Sequence, residues 1–282
     1  MAILTAEDHA FFEENGYVVV PEVVPSENCE AVINTLFEFL GMDRSRPEDW
    51  YRLPLKTGGM IEIYQHQTLW DNRQYPRLYQ VFTEILGREQ LCVTIDRAGF
   101  KPPQHPDHPE YDHKGFAHWD VDTSKLPIRF GVQAVLCLAD TEANMGGFQC
   151  APGFHKGLEE WIKTQPADRN PRVPDLTTLP PDTKVVPIPA KQGSLILWNN
   201  LLLHGNGHNV SQKPRFSQYI SMFSAERLSE EARQDRIAQW RSHTPPGSPV
   251  FPGDPRKIEE EQGETAELTP LGRKLLGLDP WE

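Results

Sequence analysis

The sequence predicts an α+β protein, mainly β, in which an antiparallel sandwich follows N-terminal helices. Short apolar runs rich in strand-forming residues recur between residues 91 and 223, and turn residues separate them. Helical stretches precede these runs. The 26 prolines place many turns and strand edges in the chain and disfavour long uninterrupted helices. Helices followed by many short strands are typical of an α+β fold with antiparallel sheets.

The N-terminal segment, residues 1–90, is predicted to combine helices with one strand. Thr5 and the acidic residues after it favour a helix that Gly16 ends. Residues 17–20 (Y-V-V-V) are predicted to form a strand. Ser26 is expected to cap an amphipathic helix, because apolar residues recur after it at helical spacing.

An irregular stretch rich in aromatic side chains, residues 41–76, follows this helix. Pro76 then opens a predicted helix that continues to Leu86 and ends at Gly87.

A β core is predicted over residues 91–225. Its expected strands cover residues 91–97, 129–140, 146–155, 185–190, 194–198 and 216–223. The polar, proline-rich residues 156–182 are expected to be an insertion or surface loop. The C-terminal extension, residues 226–282, should hold a helix at 228–241, a loose connector and a small terminal helix. Because a β-rich domain often reaches this size undivided, we expect residues 1–282 to form a single domain.

Composition excludes several classes of protein. The chain has 40 acidic and 28 basic residues, a net charge of -12, and no basic stripe, so neither nucleic acid nor an anionic membrane is an expected partner. The four cysteines form no C-x-x-C pair and are expected to be reduced and structural. The N-terminus resembles no signal peptide, so the expected location is the cytoplasm.

The run F-A-H-W-D-V-D-T contains the first candidate site residues, His118 and Asp120. In an extended chain, residues i and i+2 point to the same face, so both side chains could reach one point while Trp119 packs the other way. An imidazole and a carboxylate that converge are suitable ligands for a metal. A hydrogen-bonded histidine beside a surface aspartate is the alternative.

A third ligand is expected at His204, which ends the run G-S-L-I-L-W-N-N-L-L-L-H. A strand would deliver this histidine at the end of an apolar segment, and Gly205 and Gly207 would allow tight backbone packing there. The loop residues His105, His108 and His113 are the competing candidates, although prolines interrupt their spacing in a way more typical of a turn.

Arg215 and Ser217 follow His204 at the start of the next predicted strand. Alternate strand positions share a face. A guanidinium binds a carboxylate through two parallel hydrogen bonds, and a serine hydroxyl adds a third. Two histidines, one carboxylate and a carboxylate receptor match the facial triad of non-haem Fe(II) oxygenases, in which open positions accept a 2-oxo acid and dioxygen.

From about Thr5 to Phe223, the chain resembles the phytanoyl-CoA dioxygenase family, one branch of the Fe(II)/2-oxoglutarate oxygenases. The resemblance rests on F-F-E-E-N-G-Y-V-V-V-P, K-P-P (101–103), H-W-D, G-G-F-Q-C-A-P-G-F-H-K-G and G-S-L-I-L-W-N-N-L-L-L-H-G-N-G-H-N-V-S. It implies a double-stranded β-helix, or jelly-roll, with N-terminal helices packed on one sheet.

The resemblance also implies the roles of the site residues. It assigns Fe(II) to His118, Asp120 and His204, and the distal carboxylate of 2-oxoglutarate to Arg215. The expected reaction consumes O2 and 2-oxoglutarate, releases succinate and CO2, and hydroxylates a small organic or natural-product substrate. A coenzyme A thioester is not expected, because no Lys/Arg cluster is apparent, and halogenation is disfavoured because Asp120 is present.

Further contacts are predicted around this centre. Ser217, Gln133 and Trp198 are expected to contact the cosubstrate or line the cavity, although core packing is an equal alternative for the tryptophan. Candidate substrate contacts are Tyr64, His66 and Trp70 in an aromatic lid over residues 51–75, with plain packing as an equal alternative. Arg97 and Lys101 are candidates for contact with an anionic group, with a solvated loop position as an equal alternative.

Two other classes of function remain open at this point. The same ligand set holds zinc in some hydrolases, but Arg215 and Ser217 would then have no role. A non-catalytic small-molecule-binding jelly-roll could carry the histidines as structural residues. The oligomeric state cannot be derived from the sequence.

Overall fold

Two antiparallel sheets face each other in the computed structural model, which describes residues 2–52 and 58–282. The strands in chain order are β1 (Tyr17–Val20), β2 (Met60–Ile61), β3 (Leu91–Val93), β4 (Ala98–Lys101), β5 (Phe116–His118), β6 (Val132–Cys137), β7 (Phe148–Cys150), β8 (Val186–Pro187), β9 (Leu195–Asn199), β10 (His204–Asn206), β11 (Arg215–Tyr219) and β12 (Met222–Ser224). The larger sheet has the order β1-β9-β6-β11-β4-β2, and the smaller has the order β5-β10-β7-β8. Strands β12 and β3 pair separately. The predicted jelly-roll is confirmed.

The described α-helices are α1 (Ala6–Asn15), α2 (Ser26–Leu40), α3 (Gln67–Arg73), α4 (Pro76–Leu86), α5 (Leu158–Lys163), α6 (Glu230–Ser242), α7 (Ile258–Gln262) and α8 (Pro270–Leu276). The α-helices other than α5 contribute apolar residues to the main core beside the larger sheet, whereas α5 packs with Trp119 and Leu203. The main hydrophobic core packs α2, α3 and α4 against one face of this sheet, through residues such as Leu36, Leu69 and Val81. A second cluster, which includes Val135, Phe148 and Trp198, fills part of the space between the two sheets. Over the described residues, no helix combines the length and apolar character needed to cross a bilayer.

The N-terminal prediction is confirmed in most details. Thr5 forms a capping box with Asp8, because the Thr5 hydroxyl accepts the Asp8 amide at 3.1 Å and the Asp8 carboxylate accepts the Thr5 amide at 2.8 Å. Gly16 ends α1 in the left-handed region, with φ 78°. The predicted cap of α2 is wrong: Ser26 is already helical, and Pro25 stands at the cap position without a side-chain hydrogen bond.

Three apolar runs are interrupted in the structure, and the predicted strands 129–140, 146–155 and 185–190 are shortened to β6, β7 and β8. The run 91–97 keeps only β3, and a separate strand, β4, follows at Ala98–Lys101. The run 216–223 divides into β11 and β12, which belong to different sheets. The apolar run before His204 also divides: β9 ends at Asn199 and a turn leads to β10 in the opposite sheet. Apolar periodicity does not reveal such breaks, because residues on both sides of each turn are buried.

A close approach of backbones sets the spacing between β5 and β10. Gly205 lies opposite Ala117 in the pairing. A Cβ atom added at Gly205 would overlap the carbonyl oxygen of Phe116. Glycine is therefore required if the two strands are to hold their side chains at their present separation.

Substitution Gly205→Ala should lower the free energy of unfolding by about 1–3 kcal/mol, because the added methyl group forces the two strands apart. The matched control is Gly247→Ala, where an added Cβ has no atom within 4 Å. Denaturant unfolding measures both. Equal stabilities of the two variants would contradict the close-packing account.

Candidate metal centre and active-site cavity

The smaller sheet brings two histidines together. Strands β5 and β10 pair so that His204 lies directly opposite His118. Cross-strand partners project to the same face, and the centroids of the two imidazole rings are 4.8 Å apart. This face is turned toward the space between the two sheets, where Trp198 packs 5.0 Å from the His204 ring.

Asp120 completes the group from a position two residues beyond the end of β5. Its Oδ1 lies 3.5 Å from His118 Nε2, and its Oδ2 lies 3.4 Å from His204 Nε2. One potential ligand atom from each residue falls within 4.8 Å of the others. Among the residues that the structure describes, this is the one such group of three or more His, Cys, Asp or Glu side chains. The competing loop histidines, His105 and His108, instead pack against Tyr51.

Neighbouring groups fix the orientation of these side chains. His204 Nδ1 lies 2.9 Å from the carbonyl oxygen of Leu202. A carbonyl can only accept, so Nδ1 carries the proton and the lone pair of Nε2 is left for a metal. Gln133 Nε2 donates to Asp120 Oδ2 at 2.6 Å. Trp119 is fully buried on the other side, where its Nε1 donates to the Leu201 carbonyl oxygen at 3.0 Å.

Electrostatics keep the Asp120 carboxylate ionised. Desolvation in the cavity alone would raise its pKa, but hydrogen bonds with His118 and His204 outweigh this effect. The pKa of Asp120 is therefore held well below its usual range. Two imidazoles and an ionised carboxylate around one point form a donor set suited to a divalent transition metal.

The three residues line a cavity of about 510 Å³ that opens between the sheets. Its described lining comprises Gly58, Met60, Asp96, Arg97, His113, Phe116, His118, Asp120, Gln133, Ala134, Phe148, Trp198, His204, Gly205, Asn206, Tyr219, Ser221, Val250 and Phe251. The predicted wall residues Gln133 and Trp198 are among them. A cavity of this size with a few polar groups is typical of a small-molecule site.

Two buried cations lie on neighbouring strands of the larger sheet and do not belong to the described cavity lining. Arg215 on β11 pairs in register with Lys101 on β4, and both side chains are almost fully buried, with exposures of 4%. Lys101 Nζ donates to the Gly207 carbonyl oxygen. Arg215 Nε and Ser217 Oγ are buried without a hydrogen-bond partner among the described residues. Unpaired buried polar groups are costly, so these atoms fit a ligand that supplies acceptors.

The cationic pair also affects protonation. Burial and the neighbouring Arg215 lower the pKa of Lys101 to about 8. A bound anion would offset both effects and favour the charged lysine.

The predicted aromatic contacts lie away from the cavity. Tyr64 and Trp70 are buried in the main hydrophobic core, and Trp70 Nε1 donates to Gln65 Oε1 at 3.1 Å. His66 caps α3, where its side chain accepts the Thr68 amide. Residues 53–57 of the expected lid lie outside the described residues. From this stretch, Gly58 and Met60 are the residues that reach the described cavity lining.

Several lining residues were not predicted from the sequence. Asn206 and Tyr219 join the two sheets, because Asn206 Nδ2 donates to the Tyr219 hydroxyl at 2.9 Å. Strand alternation could have indicated both, since they lie two residues beyond His204 and Ser217. Val250 and Phe251 come from the C-terminal extension, and no periodic signal marks them in a proline-rich connector.

A jelly-roll whose cavity carries two histidines and one carboxylate around a single point defines the class of non-haem iron oxygenases. A sequence model of the phytanoyl-CoA dioxygenase family matches residues 12–217, and the chain belongs to this family. It is therefore an Fe(II)/2-oxoglutarate-dependent oxygenase, and Fe(II), 2-oxoglutarate and O2 are the cofactor and cosubstrates of its class.

Individual relatives are distant. The chain is 25% identical over 280 residues to a protein of Dictyostelium discoideum named "Putative phytanoyl-CoA dioxygenase", with 83% of this chain and 80% of the relative covered. The fold of this chain is similar to that of the GlcNAc-inducible protein GIG2 of Candida albicans, with a TM-score of 0.74 and 13% identity. The match covers 99% of this chain and 77% of GIG2. The fold is also similar to that of the epimerase SnoN of nogalamycin biosynthesis, solved with Fe3+, α-ketoglutarate and nogalamycin RO, with a TM-score of 0.56, 16% identity, and coverage of 93% and 94%.

Substitution Gln133→Leu should weaken metal binding by about 10- to 100-fold, because Asp120 loses the donor that orients its carboxylate. Titration of the metal-free protein with Co(II), followed by absorption spectroscopy, measures the affinity. The matched control is Gln262→Leu, at an exposed glutamine, where the affinity should not change. An unchanged affinity in Gln133→Leu would show that Asp120 needs no such support.

Proposed function

We propose that this protein hydroxylates a small organic or natural-product substrate, with conversion of 2-oxoglutarate and O2 to succinate and CO2. The observation that carries the proposal is the convergence of His118, Asp120 and His204 at one cavity. It is supported by two buried cations, Arg215 and Lys101, on neighbouring strands of the larger sheet. Neither the three potential metal ligands nor the buried cations alone define the reaction. Together they suit an enzyme that binds both a metal ion and a dicarboxylate.

In this proposal, His118 and His204 bind iron through Nε2, and Asp120 binds it through its carboxylate. The donor set fits Fe(II), because the His204 tautomer is fixed by Leu202 and the carboxylate stays ionised. Three protein ligands leave the remaining positions to a chelating 2-oxo acid and dioxygen.

The far carboxylate of 2-oxoglutarate is assigned to Arg215, with Ser217 and Lys101 beside it. Support comes from the unpartnered atoms Arg215 Nε and Ser217 Oγ, which a carboxylate would satisfy. Lys101 lies on the neighbouring strand in register with Arg215 and adds a second positive charge. This role differs from the substrate contact expected for Lys101 from the sequence.

When bound, iron and 2-oxoglutarate supply the oxidising chemistry, in which the cosubstrate loses CO2 and one oxygen atom enters the substrate. The chain's own residues bind and orient the reactants. Gln133 holds the Asp120 carboxylate, and Trp198 and Phe148 form a buried apolar wall against His204. These buried rings exclude water from the metal side of the cavity.

Two other functions would give a role to fewer of the residues in the site. A zinc hydrolase would use the same three ligands, but it would leave Arg215, Ser217 and Lys101 without a ligand. A non-catalytic binding protein would have no need for a fixed His204 tautomer. Halogenation is disfavoured, because Asp120 takes the position that a chloride would need.

Anaerobic addition of Fe(II) and 2-oxoglutarate should produce a weak visible charge-transfer band. His118→Ala should abolish this band, because one metal ligand is lost. Arg215→Ala should retain the band but weaken 2-oxoglutarate affinity about 30-fold or more, the equivalent of about 2 kcal/mol, because a charge-assisted pair is removed. Absorption titration measures both effects.

The matched control for Arg215→Ala is Arg44→Ala, on the exposed surface, which should leave the affinity unchanged. A band that persists in His118→Ala would contradict the proposed ligand set. An unchanged affinity in Arg215→Ala would contradict the assigned cosubstrate site. A screen of metabolites for succinate release then identifies the substrate.

The affinity for 2-oxoglutarate should fall as pH rises above about 8, because free Lys101 loses its proton there and its positive charge no longer attracts the carboxylate. Lys101→Met should bind more weakly at pH 7 and show no fall of this origin. The stability of the ligand-free protein should change in the opposite sense: it should rise between the folded pKa of about 8 and the ordinary value of 10.5, because the unfolded chain binds the proton more tightly.

Binding titrations and denaturant unfolding at pH 7 to 10 measure the two trends. Lys191→Met, at a lysine that is 84% exposed, is the control and should keep both. Identical pH profiles for the unsubstituted protein and Lys101→Met would contradict the assignment of Lys101 to the 2-oxoglutarate carboxylate.

A further inference from the structure

The C-terminal extension supplies part of the active-site wall. Val250 and Phe251 line the same cavity as His118, Asp120 and His204. They lie in the proline-rich connector between α6 and α7, within the run T-P-P-G-S-P-V-F-P-G-D-P. A turn presents them, because Phe251 forms a β-bridge with Ser248 and donates its amide to the Ser248 carbonyl oxygen at 2.9 Å.

This connector is fixed on the body of the protein. The Gly253 amide donates to Glu62 Oε2 at 3.2 Å. Arg256 donates to the Phe39 carbonyl oxygen at 3.0 Å and lies over the Phe39 ring at 4.9 Å. The Glu259 carboxylate then accepts the amides of Tyr64 and Gln65 at 2.6 and 2.8 Å. The segment is therefore an ordered part of the cavity wall, and the prediction of a loose connector is wrong.

Phe251 covers a guanidinium at the edge of the cavity. The Arg97 guanidinium carbon lies 4.7 Å from the centre of the Phe251 ring, which also packs edge-to-face on Tyr64 at 6.0 Å. Arg97 Nη1 lies 3.1 Å from Glu62 Oε1, and Arg97 Nε lies 3.5 Å from Asp96 Oδ1. Because two carboxylates share its charge and Phe251 covers its face, Arg97 is a poor receptor for an anionic substrate.

Asp96 is the acidic group that this arrangement leaves facing the cavity. Its Oδ1 accepts the Arg97 amide at 2.7 Å and lies 3.5 Å from Arg97 Nε, whereas Oδ2 has no hydrogen-bond partner among the described residues. Asp96 and Glu62 thus place two carboxylates against one guanidinium. Its side chain is 27% exposed, against 11% for Arg97. Within the described lining, Asp96 and the metal-side Asp120 are the acidic residues. A carboxylate with one free oxygen beside apolar side chains binds a cation or an N–H donor.

We propose that Phe251 and Asp96 determine substrate specificity, and that the substrate is a compact molecule with an apolar face and a cationic nitrogen group. Phe251, with Val250 and Phe116, contacts the apolar face, and Asp96 pairs with the cation. The inference rests on the proposed function, because it places the substrate in the same cavity as the iron and 2-oxoglutarate.

The test measures binding of three matched probes by calorimetry to the anaerobic protein loaded with Fe(II) and 2-oxoglutarate. The probes are cyclohexylamine, cyclohexanol and cyclohexanecarboxylate, which share a ring and differ in charge. Cyclohexylamine should bind at least about tenfold more tightly than cyclohexanol, an energy difference of about 1.4 kcal/mol. Asp96→Asn should remove this preference. Phe251→Ala should weaken all three probes, and Phe251→Leu should weaken them less.

The matched control is Phe130→Ala, at an exposed phenylalanine outside the cavity lining, which should leave all three affinities unchanged. The charge-transfer band is recorded for every variant and shows that the iron site is intact. If the band forms but cyclohexanecarboxylate binds most tightly, or Phe251→Ala changes no affinity, the specificity inference is overturned while the proposed function stands. If no band forms in the unsubstituted protein, the proposed function itself fails.

Discussion

The site depends on the register of one pair of strands. Because β5 and β10 place His204 opposite His118, two imidazoles from distant parts of the chain meet at one point. A slip of one residue would turn one of them to the opposite face. Gly205 lets the strands approach closely enough, and Asp120 reaches the same point from just beyond the strand end. Each further element of the centre is arranged around this pair.

The second constraint on the site is the pair of buried cations, Arg215 and Lys101. Arg215 and Lys101 lie in register on neighbouring strands and are nearly excluded from solvent. Two buried positive charges in proximity destabilise the ligand-free protein. A site that tolerates this arrangement is suited to a ligand with a carboxylate, and its binding energy then includes the relief of that repulsion.

The sequence predicts α1, α2, α4, α6 and α8 and the convergence of His118 with Asp120, because these depend on local patterns. It does not predict α3, α5 and α7, which lie in stretches expected to be irregular, a loop and a connector. Thr5 and Gly16 mark the ends of α1, because each is a residue type that favours its cap position. In the H-W-D triplet, the two-residue separation of His118 and Asp120 is enough to place both side chains on one face of an extended chain. Long-range features could not be predicted. The buried turn after Asn199, which sends His204 into the other sheet, leaves no polar signal in an apolar run. Phe251 reaches the cavity through contacts with Arg97 and Tyr64 that are distant in sequence.

The central claim is that His118, Asp120 and His204 bind one iron ion. The most direct measurement is an anomalous-scattering map, recorded at the iron absorption edge from anaerobic crystals with Fe(II) and 2-oxoglutarate. The account predicts one peak at bonding distance from all three side chains, with a dicarboxylate that extends from it to Arg215. A peak that one of the three side chains does not reach, or a dicarboxylate bound elsewhere, would contradict it.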